Sequence, residues 1–222
     1  MYLGKLLKST NKEHNKIYIR GICFNSKTVK KGDVFFAIDG NRTSGLKFID
    51  EAISKGAVAI VSNKRKKYIC NKVPLITVTN VRKSLSEACS KFYKKKPNNI
   101  VAVTGTNGKT SVADFFYQIL SINNIPAASI GTLGIVSKKY KRKTNLTSID
   151  PVSLNKNLEI LSKNKINHVI LEASSHGLEQ KRLDGLNISN GIFTNFSHDH
   201  LDYHKNMKIY FNSKMYLFKN LL

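Results

Sequence analysis

A glycine-rich segment, residues 105–110 (Gly-Thr-Asn-Gly-Lys-Thr), has residue types and spacing that could hold the phosphates of a nucleotide. Apolar residues 100–103 precede it and predict a short buried strand. The apolar residues that follow it have helical spacing and predict an amphipathic helix: Val112, Phe115, Phe116, Ile119 and Leu120. A strand, a glycine-rich turn and a helix in this order bring backbone N–H groups to an anion. The predicted nucleotide-binding residues are Gly105, Thr106, Asn107, Gly108, Lys109, Thr110 and Ser111.

Lys109 and Thr110 are the residues of this loop that could act on the phosphates. Lys109 would reach the outer phosphates, and the Thr110 hydroxyl would hold Mg²⁺. The general phosphate-loop pattern has another glycine five residues before Gly108, where this chain has Val103. A tight turn with a surface lysine is the alternative. We disfavour it because the strand, the glycines, the Lys-Thr pair and the amphipathic helix agree.

Glu172 follows the apolar residues 169–171, which predict another buried strand. The carboxyl ends of parallel strands meet at one edge of a sheet, so an acid here would face the glycine-rich loop and bind Mg²⁺. A helix-capping or solvent-exposed glutamate is the less favoured alternative. Ser174, Ser175 and His176 could contact phosphate or substrate, although alone they are ordinary loop residues.

Residues 198–204, His-Asp-His-Leu-Asp-Tyr-His, form a second polar cluster after the predicted strand 191–194. This spacing is not that of a zinc protease motif, and no cysteine lies nearby, so we do not predict structural zinc. A site for a hard metal ion and phosphate fits these residue types better.

Lys214 lies on the apolar face of a predicted helix, residues 207–218, seven residues after Met207 and four before Phe218. A buried ammonium is costly unless it is paired or neutralised. On periodicity alone, we favour a side chain with a buried stem and its amine in water.

The elements that position these residues predict an α/β protein with two domains. Residues 1–96 show strands at 34–38, 57–61 and 75–78 and helices at 47–55 and from 81. Residues 97–222 show strands at 100–103, 127–130, 169–171 and 191–194 and a helix opening at Pro151. Strands that alternate with helices predict a small N-terminal α/β domain followed by a mostly parallel, doubly wound P-loop domain.

Composition sets the class of protein. The chain has 222 residues, 41% of them hydrophobic, and no apolar run long enough to span a bilayer. Residues 1–20 are charged throughout and lack the apolar stretch of a secretory signal.

Three widely spaced cysteines predict reduced thiols, which suit the cytoplasm. The net charge of +23 favours polyanionic partners, but the lysines are spread over both halves and form no nucleic-acid-binding motif.

These motifs resemble the Mur ligases. The glycine-rich loop resembles that of the Mur ligases and of the related folylpolyglutamate synthetases, which both use ATP to join a carboxylate to an amine. Residues 25–27, 31–37 and 40 resemble the N-terminal domain of the Mur ligases that extend UDP-N-acetylmuramoyl-L-alanyl-D-glutamate. Residues 145–150, 172–178 and 199–204 resemble the middle domain of the same members.

The resemblance implies an ATP- and Mg²⁺-dependent amide ligase of peptidoglycan synthesis. It implies a carbamylated Lys214, whose carboxylate binds metal, and the catalytic set Lys109, Glu172, His200 and Lys214. Its implied metal ligands are Thr110, Glu172, His200 and Lys214. Its implied substrate residues are Ser26, Asn41, Arg42 and Thr43 at the UDP end and Thr147, Ser148, Ser174, Gln180 and Arg182 at the muramoyl-peptide.

We expect the substrates to be the UDP-N-acetylmuramoyl-dipeptide and a diamino acid, either meso-diaminopimelate or lysine. We expect a monomer without a nucleic-acid or membrane partner. A folylpolyglutamate-type ligase and a basic nucleic-acid-binding P-loop module remain the alternatives. The family also has a third, C-terminal domain, so we expect this chain to be an inactive fragment with an incomplete middle domain and an exposed sheet edge.

Overall fold

Residues 1–7, 12–40, 43–63, 73–144 and 146–222 are described by the computed structural model. The chain divides into two compact units, Met1–Phe92 and Tyr93–Leu222. None of the helices in the described ranges is long and apolar enough to cross a membrane.

The first unit is built on a short parallel sheet. Its strands are β1 (Gly21–Cys23), β2 (Asp33–Phe36), β3 (Ala59–Ser62) and β4 (Leu75–Thr77), and they pair in chain order. Its helices are α1 (Leu3–Leu6), α2 (Ile49–Ser54) and α3 (Val81–Phe92), with 3₁₀ turns at His14–Lys16, Ser26–Thr28 and Gly45–Phe48. The predicted strands and helices of this half are therefore confirmed, with small shifts at their ends.

The core of the first unit follows from its apolar pattern. Every residue of β2 and β3 is buried, as expected for the inner strands of a parallel sheet. Gly56 follows the last turn of α2; its φ of +94° is left-handed, and its N–H donates to the carbonyl of Ile53. Cys23 and Cys89 are buried thiols that form no disulfide, whereas Cys70 lies outside the described residues.

The second unit carries a five-stranded sheet. Its strands are β5 (Asn99–Thr104), β6 (Ala127–Gly131), β7 (Gly134–Ser137), β8 (His168–Glu172) and β9 (Asn190–Phe193). They lie in the order β7-β6-β8-β5-β9, and only the β6–β7 pair is antiparallel. The predicted, mostly parallel sheet is confirmed, and the β6–β7 hairpin is a pairing that strand patterns alone did not predict.

Helices cover both faces of this sheet. They are α4 (Lys109–Ile122), α5 (Pro151–Lys163), α6 (Ser175–Glu179), α7 (Leu201–His204) and α8 (Met207–Tyr216), followed by a π-helix at Leu217–Leu221. Leu154, Leu158 and Leu161 of α5 pack into the larger core cluster, as their spacing predicts. Helix α4 covers the other face, where Val112 and Phe116 pack beside buried Ala113.

Two apolar stripes differ from their prediction. Phe115 and Ile119 of α4 are 60% and 59% exposed, because the sheet contacts only the side of the helix that carries Ala113 and Phe116. In α8 the buried positions are Tyr210, Ser213 and Lys214, while Phe211 is 40% exposed. Helical spacing identifies an apolar stripe but not which edge of it meets the sheet.

The sheet order brings the two polar segments together. β5 and β8 are direct neighbours, and Val103 pairs with Glu172 in the parallel register. The glycine-rich loop therefore leaves β5 beside the last residue of β8, at the carboxyl edge where parallel sheets hold ligands.

Candidate functional site

The glycine-rich loop has a backbone that only glycine adopts easily. Gly105 has φ +144°, and a Cβ there would lie 1.9 Å from Oγ1 of Thr194. Gly108 has φ +81° and caps the N-terminus of α4. The loop thus needs both glycines, one for close approach to its neighbour and one for the left-handed turn into the helix.

The segment after β9 holds this loop in place. Thr106 N–H donates to the Asn195 carbonyl and Asn107 N–H to Asn195 Oδ1, each at 2.9 Å. The Thr194 hydroxyl donates to the Asn107 carbonyl at 2.6 Å. The Thr106 hydroxyl is buried and accepts from the Tyr210 phenol at 3.2 Å. These contacts fix the loop from outside it, and no local sequence pattern predicts them.

Two lysine amines converge on one backbone carbonyl. Lys109 Nζ donates to the carbonyls of Gly105 at 2.9 Å and Thr106 at 2.7 Å. Lys214 Nζ donates to the same Gly105 carbonyl at 2.6 Å. Among the residues that the structure describes, neither amine forms an ion pair with a carboxylate. Burial lowers the pKa of Lys109, although Glu172 and Asp199 oppose that shift.

Lys214 is buried along its whole length. The residue is only 1% exposed, and its Nζ lies 4.3 Å from the centre of the Tyr210 ring. An amine in water, the interpretation that periodicity favoured, is therefore wrong. Burial, and secondly the positive charge of Lys109, lower the pKa of Lys214 to about 7, against an opposing effect of Asp199. The Lys214 amine is therefore neutral in a large share of the molecules near pH 7.

Glu172 is a buried carboxylate surrounded by neutral donors. Its Oε1 accepts from Thr132 N–H at 2.8 Å, and its Oε2 accepts from the Thr110 hydroxyl at 2.9 Å and the Thr132 hydroxyl at 3.2 Å. A Cβ on Gly131 would lie 2.0 Å from Oε1, so glycine there leaves the space that the carboxylate fills. The Thr110 hydroxyl and the Glu172 carboxylate are adjacent hard oxygen donors, and these residues fit Mg²⁺.

The residues predicted for the muramoyl-peptide adjoin Glu172. Thr147 Oγ1 lies 3.1 Å from Thr132 Oγ1. The buried Ser148 hydroxyl donates to the Glu172 carbonyl at 2.8 Å and accepts from the Ser174 N–H at 2.9 Å. Arg182 donates to the Ser148 carbonyl and, at 2.8 Å, to Oε1 of Gln180. The structure thus joins all five predicted residues into one network at the end of β8.

Histidine and tyrosine rings line the other side of the site. The His176 ring lies 3.9 Å from that of Tyr203 and 5.1 Å from that of His200, measured between centroids. His204 is buried, and its Nε2 lies 2.9 Å from Ser175 Oγ. Burial lowers the pKa of both His176 and His204, and the nearby His200 adds to the effect. These rings favour the neutral imidazole.

The predicted metal ligands are not a ready-made cluster. No group of three or more His, Cys, Asp and Glu side chains within the described ranges is placed to hold a metal ion. The predicted set has only Glu172 and His200 of these types, so it also needs Thr110 and a modified Lys214. His200 itself is half-exposed and lies beside Asp199, whose Oδ2 is 3.5 Å from its Nε2.

The remaining predicted residues are those at the UDP end, which belong to the first unit, and Ser111 of α4. Ser26 is buried in a 3₁₀ turn of the first unit, capped by the Asn25 side chain, and Thr43 is exposed in the same unit. Asn41 and Arg42 lie outside the described residues. Ser111 is exposed in the first turn of α4.

Sequence reasoning missed Thr132 and Asn195. Thr132 directly follows β6, and Asn195 lies two residues after β9, so both belong to the carboxyl edge of the sheet. That position was the available signal, since ligands of parallel sheets collect there.

Comparison with protein families matches both units. The family model described as "Mur ligase middle domain" matches residues 103–222, which is more than half of the chain. The model described as "Mur ligase family, catalytic domain" matches residues 18–93.

Individual proteins give the same result. A protein of Bradyrhizobium diazoefficiens named UDP-N-acetylmuramoyl-L-alanyl-D-glutamate–2,6-diaminopimelate ligase is 44% identical over 92% of this chain and 42% of its own length. A solved structure with the same name has a TM-score of 0.83 at 28% identity, over 99% of this chain and 45% of that one. A MurF ligase from Thermotoga maritima in complex with ADP has a TM-score of 0.60 at 25% identity, over 91% of this chain and 44% of that one. The chain thus spans less than half the length of these relatives.

Proposed function

Because this chain belongs to the Mur ligase family, we propose that it binds ATP and UDP-N-acetylmuramoyl-L-alanyl-D-glutamate for the ATP-dependent addition of 2,6-diaminopimelate in peptidoglycan synthesis. The sequence alone left meso-diaminopimelate and lysine open, and the names of the relatives favour the former. The choice of substrates rests on these relatives, and the geometry of the site supports it.

The observation that carries the proposal is the continuous chain of contacts through Glu172. On one side, Glu172 accepts from Thr110 of the glycine-rich loop. On the other, Thr132 connects it to Thr147, and the Glu172 carbonyl accepts from Ser148. A nucleotide on the loop and an acceptor carboxylate beside residues 147–148 would therefore meet at this side chain.

A carboxylate resists attack by an amine because it is anionic and lacks a leaving group. In the proposed reaction, the acceptor carboxylate takes the γ-phosphoryl group of ATP, and the amine of the diamino acid then attacks the acyl phosphate and releases phosphate. The protein acts by positioning and by neutralising charge. Lys109 would exchange the loop carbonyls for phosphate oxygens, while loop N–H groups at the start of α4 bind the same anion.

Metal ligation follows from the same residues. When bound, Mg²⁺ would neutralise charge on the phosphates and on the acceptor carboxylate. Thr110 and Glu172 would hold one ion, and Glu172, His200 and a carbamylated Lys214 would hold a second. The residues that would bind the muramoyl-peptide are Thr147, Ser148, Ser174, Gln180 and Arg182. Ser26, Asn41, Arg42 and Thr43 would bind the UDP end.

Carbamylation of Lys214 is part of the proposal. Its support is a buried amine with a pKa lowered to about 7, since CO₂ reacts with the neutral amine. Intact-protein mass spectrometry after trapping of the carbamate, with bicarbonate and Mg²⁺ in excess, should show one added CO₂ equivalent that Lys214→Ala lacks. An unmodified Lys214 under these conditions would refute this part of the proposal.

The reduced state of Cys23 and Cys89 supports a location in the cytoplasm, where the nucleotide substrates also are. We propose that the chain acts there as a monomer and that its partners are these small molecules, with no nucleic acid and no membrane among them.

One experiment separates this function from its alternatives. Isothermal titration calorimetry would measure the binding of UDP-N-acetylmuramoyl-L-alanyl-D-glutamate, of a folate and of duplex DNA to the chain. We expect saturable binding of the UDP-muramoyl-dipeptide alone. Binding of the folate instead would favour a folylpolyglutamate-type ligase. Binding of DNA that weakens steeply with added salt would favour a nucleic-acid-binding module.

A further inference from the structure

Thr132 lies between the residues proposed to bind the nucleotide and those proposed to bind the muramoyl-peptide. It follows β6 directly, at the carboxyl edge of the sheet, and it is exposed there. Its backbone N–H and its hydroxyl both contact the Glu172 carboxylate, at 2.8 Å and 3.2 Å. Its hydroxyl oxygen also lies 3.1 Å from Thr147 Oγ1.

The single proton of the Thr132 hydroxyl decides the direction of these contacts. A carboxylate oxygen accepts hydrogen bonds and does not donate them, so the Thr132 proton points to Glu172. If it pointed to Thr147 instead, lone pairs of Thr132 would face the carboxylate oxygen at 3.2 Å. A hydrogen bond to the carboxylate is also the stronger choice. Thr147 must therefore donate its own proton to Thr132.

This direction leaves Thr147 as an acceptor. Its proton is used on Thr132, and the two lone pairs of its oxygen remain to accept from a ligand. Ser148 offers no alternative donor, because its proton goes to the Glu172 carbonyl at 2.8 Å. A ligand group that reaches Thr147 must therefore bring its own N–H or O–H.

We propose that Thr132 is a positioning residue, which holds the Glu172 carboxylate and orients the Thr147 hydroxyl to accept a hydrogen bond from the bound muramoyl-peptide. This inference rests on the proposed function and deepens it. It selects a ligand group with an N–H or O–H donor at Thr147, as an amide or a sugar hydroxyl has. It also links the nucleotide side to the peptide side through one hydroxyl.

Calorimetry on variants of the chain tests the proposal. Thr132→Val removes the hydroxyl at nearly constant shape, and Thr132→Ser is the matched control that keeps it. We expect Thr132→Val to weaken binding of both Mg·ATP and the UDP-muramoyl-dipeptide about five- to tenfold, and Thr132→Ser to restore both to within about twofold. Thr147→Val should weaken only the UDP-muramoyl-dipeptide. In the double variant, the losses for that ligand should combine to less than their product.

The Mg²⁺ dependence of ATP binding separates positioning from general loosening. Thr132→Val should reduce the gain in ATP affinity that Mg²⁺ gives, while ATP affinity in EDTA stays within about twofold of the wild type. Circular dichroism would check the fold, and Thr132→Ala is a second hydroxyl-free variant if Thr132→Val does not fold.

Each result decides something. Wild-type affinities in Thr132→Val, or equal losses in the Val and Ser variants, would overturn the role of Thr132 while the wild-type chain still binds both ligands. An equal loss of ATP affinity with and without Mg²⁺ would also overturn it. A wild-type chain that binds neither ligand would overturn the proposed function, and this inference with it.

Discussion

The two ends of the site differ in how completely their charges are satisfied. At the cationic end, the amines of Lys109 and Lys214 share the carbonyl of Gly105. At the carboxylate end, Glu172 accepts from two threonine hydroxyls and one backbone N–H, all neutral groups. The first end thus places two lysine amines on one carbonyl dipole, and the second holds one carboxylate among fixed donors.

This difference indicates which end is prepared for its ligand. A buried charge needs hydrogen bonds, and Glu172 has three without any ligand, so we expect little rearrangement there. The two amines repel each other, which contributes to the lowered pKa of Lys214. An anion at the loop would relieve that repulsion. We therefore expect the carboxylate end to be preformed and the cationic end to rearrange when ATP binds.

The largest expected effect is the loss of ATP affinity when the Lys109 amine is removed from the cationic end. We expect Lys109→Ala to weaken ATP binding roughly 100- to 1,000-fold, because charge-assisted hydrogen bonds to phosphate are lost. The free energy of unfolding should change little, since Lys109 contacts only loop carbonyls in the free protein. Calorimetry and urea unfolding measure the two quantities. Lys139→Ala, an exposed lysine of the same unit, is the control, and equal ATP affinity in both variants would contradict a phosphate-binding role.

Lys214, the second lysine of the cationic end, should make the stability of the fold depend on pH. The pKa of Lys214 is about 7 in the folded chain, against 10.5 for an ordinary lysine. Between these values the unfolded state binds more protons than the folded state, so stability rises with pH in this window. In CO₂-free buffer without Mg²⁺, Lys214→Met should be more stable than the wild type at pH 7. This advantage should shrink by about 2 to 3 kcal/mol towards pH 9.5.

Urea unfolding at a series of pH values measures this difference. The control is Lys139→Met, which removes an exposed positive charge from the same unit. If both variants showed the same dependence on pH, Lys214 would not be the buried cation that the cationic end requires.

A smaller effect is expected at the carboxylate end. Glu172→Gln keeps the shape but turns an amide NH₂ towards one of the donors that now face Glu172, so the free energy of unfolding should fall by about 1 to 2 kcal/mol. Urea unfolding gives this value. Glu159→Gln is the control, because Glu159 forms an ion pair with Lys163 at the surface and should matter by less than about 1 kcal/mol. A Glu172→Gln variant as stable as the control would show that the carboxylate end is not preformed.

The sequence predicted the parts of the site that local pattern determines. The strand before Gly105, the helix after Lys109 and the position of Glu172 at a strand end all follow from apolar periodicity and glycine placement. The contacts of Thr132 with Glu172 and of Lys214 with Gly105 join residues 40 and 109 positions apart. No local pattern encodes such pairs, because they depend on strand order and on how deeply α8 packs.

The same limit explains the errors at the helices. Helical spacing marked Phe115 and Ile119 as core positions, yet both are exposed. It also marked Lys214 as an amine that reaches water, whereas the amine meets a carbonyl inside. Periodicity reports the polarity of a face, while the partner across that face decides what is buried.

A crystal structure of the chain with Mg²⁺ and a non-hydrolysable ATP analogue tests the contrast between the two ends most directly. We expect Lys109 Nζ to leave the carbonyls of Gly105 and Thr106 for phosphate oxygens, with Glu172 still bound to Thr132 as in the free chain. Two results would contradict this contrast between the ends: an analogue bound elsewhere with Lys109 unmoved, or a Glu172 side chain turned away from Thr132.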